Sequence, residues 1–193
     1  TAQTNKTTSL FDQTAPNISS VTLAADNSTI AVVFSVAVFN TNGGSGAIDS
    51  TDFTLSITGG TATLSSATST SLSASGNTYT LGIGLSGTPN GSEVLTVNPV
   101  ENAIYDAAGN PSDTTQSNNS ANLNDKTAPT IASVTTASDN KSIAVTFSES
   151  VFNTNGGSGV LDSADFALSI TGGTATLISK TPTEISINNN IYT

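Results

Sequence analysis

The chain has 193 residues, and 14 Asp and Glu against four Lys, with no Arg or His, give it a formal net charge of −10. Nucleic acids and anionic lipid surfaces both bind basic proteins, so this acidity argues against either as a partner. The absence of Cys excludes a disulfide scaffold and a thiolate metal site. No apolar run reaches the length of about 18 residues typical of a membrane span, which argues against membrane insertion.

The chain is a tandem repeat. The segment FNTNGGSGAIDSTDF at positions 39–53 recurs as FNTNGGSGVLDSADF at 152–166, an offset of 113 residues (152 − 39). Aligned without a gap, residues 14–80 and 127–193 are identical at 45 of 67 positions. A period of 113 residues is a typical domain size, so the repeat is the strongest indication of domain organisation in this sequence. We therefore predict the last strand of a preceding repeat at 1–13, a complete repeat at 14–126, and at 127–193 a partial repeat that lacks its last strands.

Alternation of apolar and smaller or polar residues predicts β-strands along the complete repeat. In chain order the predicted strands are 17–23, 28–38, 52–58, 61–75 with a bend, 77–85, 93–99 and 114–123. The residues predicted to face the core from the second strand are Ile30, Val32, Phe34, Val36 and Val38. No segment of comparable length has helical periodicity, and Gly, Asn and Asp mark the turns. Seven such strands predict an all-β fold of tandem immunoglobulin-like β-sandwiches, the second of them truncated.

Strand direction predicts which loops meet. If seven strands alternate in direction, a repeat begins at one end of its sandwich and finishes at the other, so that successive repeats form a rod. The loop after the second strand and the loop after the sixth then lie beside the linker that precedes the repeat. The linkers are DQTAP at 12–16 and DKTAP at 125–129, where proline and its predecessor favour extended, stiff backbone.

These linkers belong to a longer pattern. The segment DKTAPTIASVTTASDNKSIAVTFSESVF is followed by DSADF, and the complete repeat also contains AIYDAAGNP. This combination resembles the bacterial Ig-like repeats of very large surface proteins, which include repeat adhesins, S-layer-associated proteins and the gliding-type adhesins exported by Bacteroidetes. The resemblance implies an extracellular location at the cell surface, neighbouring repeats as partners, and a role as a spacer or adhesive rod stiffened by calcium between units.

Carboxylate and amide side chains gather in the loops that the strand directions bring together. Ca²⁺ takes six to eight oxygen ligands from carboxylates and carbonyls. The candidate ligands at the first joint are Asp12, Asn40, Asn42, Asp49, Asp52, Asp106, Asn110 and Asp113. Their counterparts at the second joint are Asp125, Asn153, Asn155, Asp162 and Asp165. The sequence therefore predicts a calcium ion at the joints.

The same residues have a second interpretation. Asp and Asn are favoured in turns because their side chains hydrogen-bond to nearby backbone, and the glycines at 43, 44 and 46 permit positive φ. Asp49 or Ser50 could cap a single helical turn at DSTDF. At the level of sequence, turn formation and cation binding both stay open for these residues.

The two copies differ where the second strand ends. The second copy has FSESV, which places Glu149 on the face of Ile143, Val145 and Phe147, whereas the first copy has FSVAV with Val36 at that position. A carboxylate on the core side of a strand is costly unless it has a partner. We therefore predict that Glu149 lies at the rim of the sandwich as a metal ligand, and that the first joint binds a cation more weakly or differently.

Three short motifs resemble the Asp-Ser/Thr acceptor of O-glycosylation in Bacteroidetes. They are DST at 49–51, DTT at 113–115 and DSA at 162–164. The resemblance implies sugar on Ser50, Thr114 and Ser163. Such short patterns also arise by chance in a chain rich in Ser and Thr, so both interpretations stay open.

Catalysis has little support, because without His, Cys or Arg the candidate acids and bases are carboxylates on turns. We predict that the protein is not an enzyme but a structural or adhesive module. The alternative is a self-assembling filament or S-layer-type subunit. In that arrangement the partial repeat takes a strand from another copy by β-augmentation, with residues 1–13 as the donor.

Overall fold

The computed structural model describes residues 8–193, which form two compact units, one ending at Thr127 and one spanning Ala128–Thr193. Nearly all of the regular structure is β, so the predicted all-β fold is confirmed. The strands of unit one are β1 (Ile18–Leu23), β2 (Thr29–Phe34), β3 (Phe53–Thr58), β4 (Thr63–Leu64), β5 (Leu72–Ser75), β6 (Thr78–Gly82), β7 (Leu85–Ser86), β8 (Val94–Pro99) and β9 (Ser120–Asn122). Residues 8–13 belong to no strand, and the rest of the strand predicted at 1–13 lies outside the described residues.

Unit one is built from two main antiparallel sheets. One has the strand order β1-β2-β6-β5 and the other the order β3-β8-β9. These orders are the A-B-E-D and C-F-G orders of an immunoglobulin sandwich, with β5 and β6 as strands D and E and with β8 and β9 as strands F and G. The short strands β4 and β7 form a separate antiparallel pair.

The alternating residues of both sheets meet in one core. Its completely buried side chains include Ile30, Val32, Leu81, Leu95 and Val97. Phe34, Phe53 and Tyr79 form an aromatic triad whose ring centroids lie 5.9 to 6.2 Å apart. Burying one large apolar side chain stabilises a fold by about 1.5–3 kcal/mol, so this core accounts for the order of a chain so rich in Ser and Thr.

Several predicted strand limits are wrong. The strand predicted at 28–38 ends at Phe34, where the chain bends, so Val36 is 42% exposed instead of facing the core, although Val38 is buried. The strands predicted at 61–75 and 77–85 are each interrupted, giving nine strands in unit one instead of seven. The strand predicted at 114–123 is only Ser120–Asn122, because residues 113–119 form turns held by side chains.

Unit two repeats part of this architecture. Its strands are β10 (Ile131–Thr136), β11 (Ile143–Phe147), β12 (Ile187–Asn188) and β13 (Ile191–Tyr192), in the sheet order β10-β11-β13-β12. β1 and β10 have the same irregularity in register, between Ile18 and Ser20 and between Ile131 and Ser133. The aromatic triad also recurs, as Phe147, Phe166 and Tyr192 with centroids 5.6 to 6.4 Å apart. The repeated sequence therefore specifies the same local structure twice.

Within residues 8–193, none of the helical segments has the length and apolarity that crossing a membrane requires.

Candidate functional site

Two loops of unit one meet as the strand directions predict. They are the glycine loop, residues 39–53, and the DAAGN loop, residues 100–113. Phe39 and Tyr105 exchange two backbone hydrogen bonds of 2.8 Å. Gly44 and Gly109 face the other loop so closely that a Cβ at Gly44 would press on Ala107 and one at Gly109 would collide with the Asn42 amide. Backbone hydrogen bonds and close glycine contacts therefore join the two loops.

The linker before unit one joins these loops. Asn110 donates from Nδ2 to the Asp12 carbonyl at 3.2 Å and lies 3.5 Å from the Thr14 carbonyl oxygen. Asp12 and Asp106 line one shallow groove of about 480 Å³, together with Val36. The structure thus brings Asp12, Asp106 and Asn110 of the predicted ligands together.

Asp106 is buried and organises the DAAGN loop. Its Oδ1 accepts hydrogen bonds from the backbone N–H groups of Ala108 at 2.9 Å and Asn110 at 2.8 Å, and its Oδ2 accepts one from Nδ2 of Asn110 at 2.8 Å. Burial acts to raise the pKa of Asp106, but the hydrogen bonds from Asn110 and Ala108 outweigh it and lower the pKa below its usual value. The carboxylate therefore stays ionised and acts as the acceptor at the centre of a turn.

Asp49 and Asp52 form a capping box around the 3₁₀ turn Ser50–Asp52. Asp49 Oδ1 accepts from the backbone N–H of Thr51 at 2.7 Å, and the Asp49 N–H donates to Asp52 Oδ2 at 2.7 Å. Hydrogen bonds from Thr51 lower the pKa of exposed Asp49, whereas burial and the neighbouring Asp49 charge raise the pKa of Asp52 despite the hydrogen bond from Asp49. The capping interpretation is confirmed for this pair.

Three other predicted ligands also serve turns. Asp12, Asp113 and Asp125 each accept, through Oδ1, the backbone N–H two residues ahead, at 2.9, 2.9 and 2.8 Å. All three are exposed. Asn40 Oδ1 accepts from the Thr41 hydroxyl at 3.4 Å and lies against Gly46, where a Cβ would collide with it. Each of these side chains therefore contacts residues close to it in sequence and stabilises the local turn.

Unit two reproduces these turns. Asp162 accepts from the backbone N–H of Ala164 at 2.7 Å, and the Asp162 N–H donates to Asp165 Oδ2 at 2.9 Å. Asn153 donates from Nδ2 to the Val160 carbonyl at 2.8 Å, which spans its glycine loop. Glu149 is half-buried and follows the end of β11 by two residues, a position compatible with the predicted rim.

Calcium binding stays a prediction. Over the part of the chain that the structure describes, no group of three or more Asp or Glu residues is arranged to hold a metal ion. Calcium also accepts amide and backbone carbonyl oxygens, and Asp12, Asp106 and Asn110 are predicted ligands that the structure brings together.

The predicted glycosylation sites differ in accessibility. Thr114 is exposed, whereas Ser50 and Ser163 are half-buried at the first position of the two 3₁₀ turns. Their modification stays a prediction, with Thr114 the most accessible acceptor.

Glu93 is the important residue that the sequence interpretation missed. It is completely buried, and Oε1 accepts from the N–H groups of Thr61 at 2.7 Å and Ala62 at 2.9 Å, while Oε2 accepts from Asn90 at 3.0 Å. Burial acts to raise the pKa of Glu93, but these backbone donors lower it from 4.5 to about 2. Gly60 allows the approach, because a Cβ there would collide with the carboxylate. The sequence carries a signal for it, because Glu93 precedes Leu95 and Val97 at alternating positions, which predicts that it lies on their side of the sheet.

Replacing Asp106 by Ala is expected to lower the free energy of unfolding of unit one by about 2 kcal/mol even in the presence of a chelator, because three part-buried hydrogen bonds, from the backbone of Ala108 and from the backbone and side chain of Asn110, lose their acceptor. Asp113→Ala is the matched control. Its exposed carboxylate accepts a single backbone hydrogen bond, so it is expected to cost less than about 1 kcal/mol. Urea denaturation in EDTA measures both. A loss for Asp106→Ala that occurs only with calcium present would instead make Asp106 a metal ligand.

The polar side chains of these loops thus form turns and attach the linker to unit one. Comparison of the chain with protein-family models, curated proteins and solved structures finds no match in any of the three.

Proposed function

We propose that the chain is an extracellular structural module, a stiff spacer built of tandem repeats in a large bacterial surface protein with an adhesive role. The observation that carries the proposal is that unit one holds the linker on each side of it by hydrogen bonds, at opposite ends of the sandwich. A spacer needs this property, because a linker fixed to the domain transmits orientation whereas a free one does not.

At the amino-terminal end, the linker is tied to the DAAGN loop and the residues after it. The Ser112 hydroxyl donates to the Pro16 carbonyl at 3.0 Å, and the Ile18 N–H donates to Oε1 of Gln116 at 2.8 Å. Pro16 and Ser112 are both buried. Together with the Asn110 hydrogen bond to Asp12, these contacts fix residues 12–18 against unit one.

At the other end, the departing chain is tied to the β1–β2 turn and to the loop before β8. Asn27 donates from Nδ2 to the Asn124 carbonyl at 2.8 Å and accepts the Asn124 N–H at 2.9 Å. The Lys126 N–H and the Thr127 hydroxyl both donate to the Pro89 carbonyl, at 2.8 and 3.0 Å. Asn27 is buried and its backbone has a φ of 63°, a conformation that Asn adopts more readily than most residues. Its side chain holds the linker from this position.

Calcium has a second, electrostatic part in the proposal. A cation bound by Asp12 and Asp106 would link the linker to the DAAGN loop and further restrict bending at the joint. The hydrogen bonds of Asn110, Ser112 and Gln116 already fix the linker. Calcium would therefore add to the stiffness of the joint and would not be its sole source.

The proposal predicts a measurable response to calcium. Removing it with EGTA is expected to shorten the maximum dimension of the chain, or broaden its distribution, in small-angle scattering. Asp12→Asn is expected to weaken calcium binding in titration calorimetry, whereas Asp26→Asn, at the opposite end of unit one, is expected to leave it unchanged. Equal dimensions with and without calcium would remove calcium from the mechanism, and broad distributions in both conditions would contradict the spacer itself.

A second candidate function is a self-assembling surface subunit. Leu10 and Phe11 are each 92% exposed in the segment that matches the end of unit one, and so could pack against another copy. Size-exclusion chromatography with light scattering separates the two functions, because a spacer elutes as a monomer and a filament subunit forms ordered polymers.

A further inference from the structure

The sheet of unit two exposes the face that forms the core of unit one. Ile131 is 57% exposed, whereas its counterpart Ile18 is 1% exposed. Val134 is also 57% exposed, whereas its counterpart Val21 packs against the core of unit one, and residues 166–171, which match β3, form no strand. Unit two therefore presents an apolar sheet face in the part of the chain that the structure describes.

Unit one shows what covers the equivalent face. β8 supplies Leu95 and Val97, both completely buried, and the residue after β9, Leu123, is 2% exposed. β8 pairs with β3 along its whole length and with β9 on its other side. The cover is thus an antiparallel strand pair that carries apolar residues at every second position.

A second feature of unit two matches this cover independently of the apolar face. The segment GGTATL that receives Glu93 at 59–64 recurs at 172–177. Gly172 and Gly173 have φ values of 76° and 67°, close to the 76° and 60° of Gly59 and Gly60. The backbone that presents the N–H groups of Thr61 and Ala62 to Glu93 is therefore repeated in unit two, with these groups on the exposed residues Thr174 and Ala175.

We infer that unit two is a docking surface for a further copy of the β8–β9 strand pair of this repeat. The glutamate of that copy at the position of Glu93 binds the backbone N–H groups of Thr174 and Ala175. The apolar face selects the alternating residues of the first strand, and the N–H pair fixes its register. The partner is thus a strand with a carboxylate residue that is followed by apolar residues two and four positions later, as in Glu93, Leu95 and Val97.

A strand resembling β9 alone does not meet this requirement. Among the described residues of unit one, β9 pairs only with β8, and the triad residue Phe53 lies in β3, which also pairs with β8. Residues 8–13 contain two apolar residues, Leu10 and Phe11, which are adjacent and would face opposite sides of a strand, and no carboxylate lies two residues before either of them. The repeated GGTATL segment therefore favours the complete strand pair over the single strand.

The test appends residues 81–126 of this chain directly after Thr193, which matches Thr80 and so restores the register of unit one. Amide hydrogen exchange in β10 and β11 is expected to slow by about tenfold or more relative to the 193-residue chain. The slowing is expected to extend to the amides of Thr174 and Ala175, which the appended glutamate would bind.

Two control fusions make the result specific. In the first, the appended copy carries Leu95→Asp and Val97→Asp, and β10 and β11 are expected to exchange as fast as in the parent chain. In the second, it carries Glu93→Gln, and protection is expected to fall most at Thr174 and Ala175 and to fall also in β10 and β11, because the unit loses stability. Equal protection in all fusions, or in none, would overturn the inference. So would a parent chain that forms dimers with β10 already protected, because a second copy would then be the occupant.

Discussion

Replacing Glu93 by Ala is expected to lower the free energy of unfolding of unit one by about 3 kcal/mol or more, because it leaves three backbone donors without their acceptor. These donors, on Thr61, Ala62 and Asn90, belong to two loops that the carboxylate joins. The change is measured by urea denaturation, with hydrogen exchange in β2 and β6 reporting on unit one. The same loops are expected to lose protection first.

Glu101→Ala is the control for this variant. Glu101 is exposed and lies in the turn after β8, so its loss is expected to change stability by less than about 0.5 kcal/mol. Glu93→Gln retains one acceptor oxygen but turns an N–H₂ group toward backbone donors, and we expect an effect nearly as large as that of alanine. A Glu93→Ala protein as stable as Glu101→Ala would contradict the structural role assigned to this carboxylate.

The acid stability of unit one follows from the same residue. The pKa of Glu93 is lowered from 4.5 to about 2 in the folded protein, so the unfolded state binds a proton first as the pH falls. The stabilisation is therefore fully present above about pH 4.5 and is lost progressively between that pH and about 2. Comparing the wild type with Glu93→Gln over this range isolates the contribution, because the variant lacks this titration.

The repeat explains why so much of the fold could be predicted. The offset of 113 residues defines the unit, and alternation in β2, β6 and β8 identifies the core strands. The meeting of the glycine loop with the DAAGN loop followed from strand direction alone. Local capping by Asp49 was also foreseen as one of two interpretations, because its geometry involves only neighbouring residues.

What could not be predicted depends on where the chain bends. Position parity placed Val36 on the core face, but β2 ends at Phe34, so Val36 leaves the core and is 42% exposed. The same parity applied to Glu93 would have been correct, because Glu93 directly precedes β8 and is buried like Leu95 and Val97. Two of its three backbone donors lie 31 and 32 residues earlier in sequence, so only the tertiary structure identifies most of the compensation for this buried charge.

Ile18→Ala is expected to destabilise unit one by about 2–4 kcal/mol, while the identical change at the matching position, Ile131→Ala, is expected to cost unit two less than about 1 kcal/mol. The two isoleucines occupy the same position of the repeat, yet one is 1% and the other 57% exposed. Truncating a buried side chain loses transfer energy and leaves a cavity, whereas truncating an exposed one does neither. Hydrogen exchange in β2 and in β11 reads out the two units separately.

The same pair of variants in the fused chain reverses the expectation for unit two. Once residues 81–126 cover the sheet, Ile131 should become a core residue, and Ile131→Ala should then cost about as much as Ile18→Ala, about 2–4 kcal/mol. The difference between the two chains measures the burial that the cover provides and needs no assumption about the stability of unit two alone. If Ile131→Ala is already as costly as Ile18→Ala in the 193-residue chain, the open sheet face is buried in solution by some other contact. If Ile131→Ala still costs less than about 1 kcal/mol in the fused chain, the appended strands do not pack against β10 and β11.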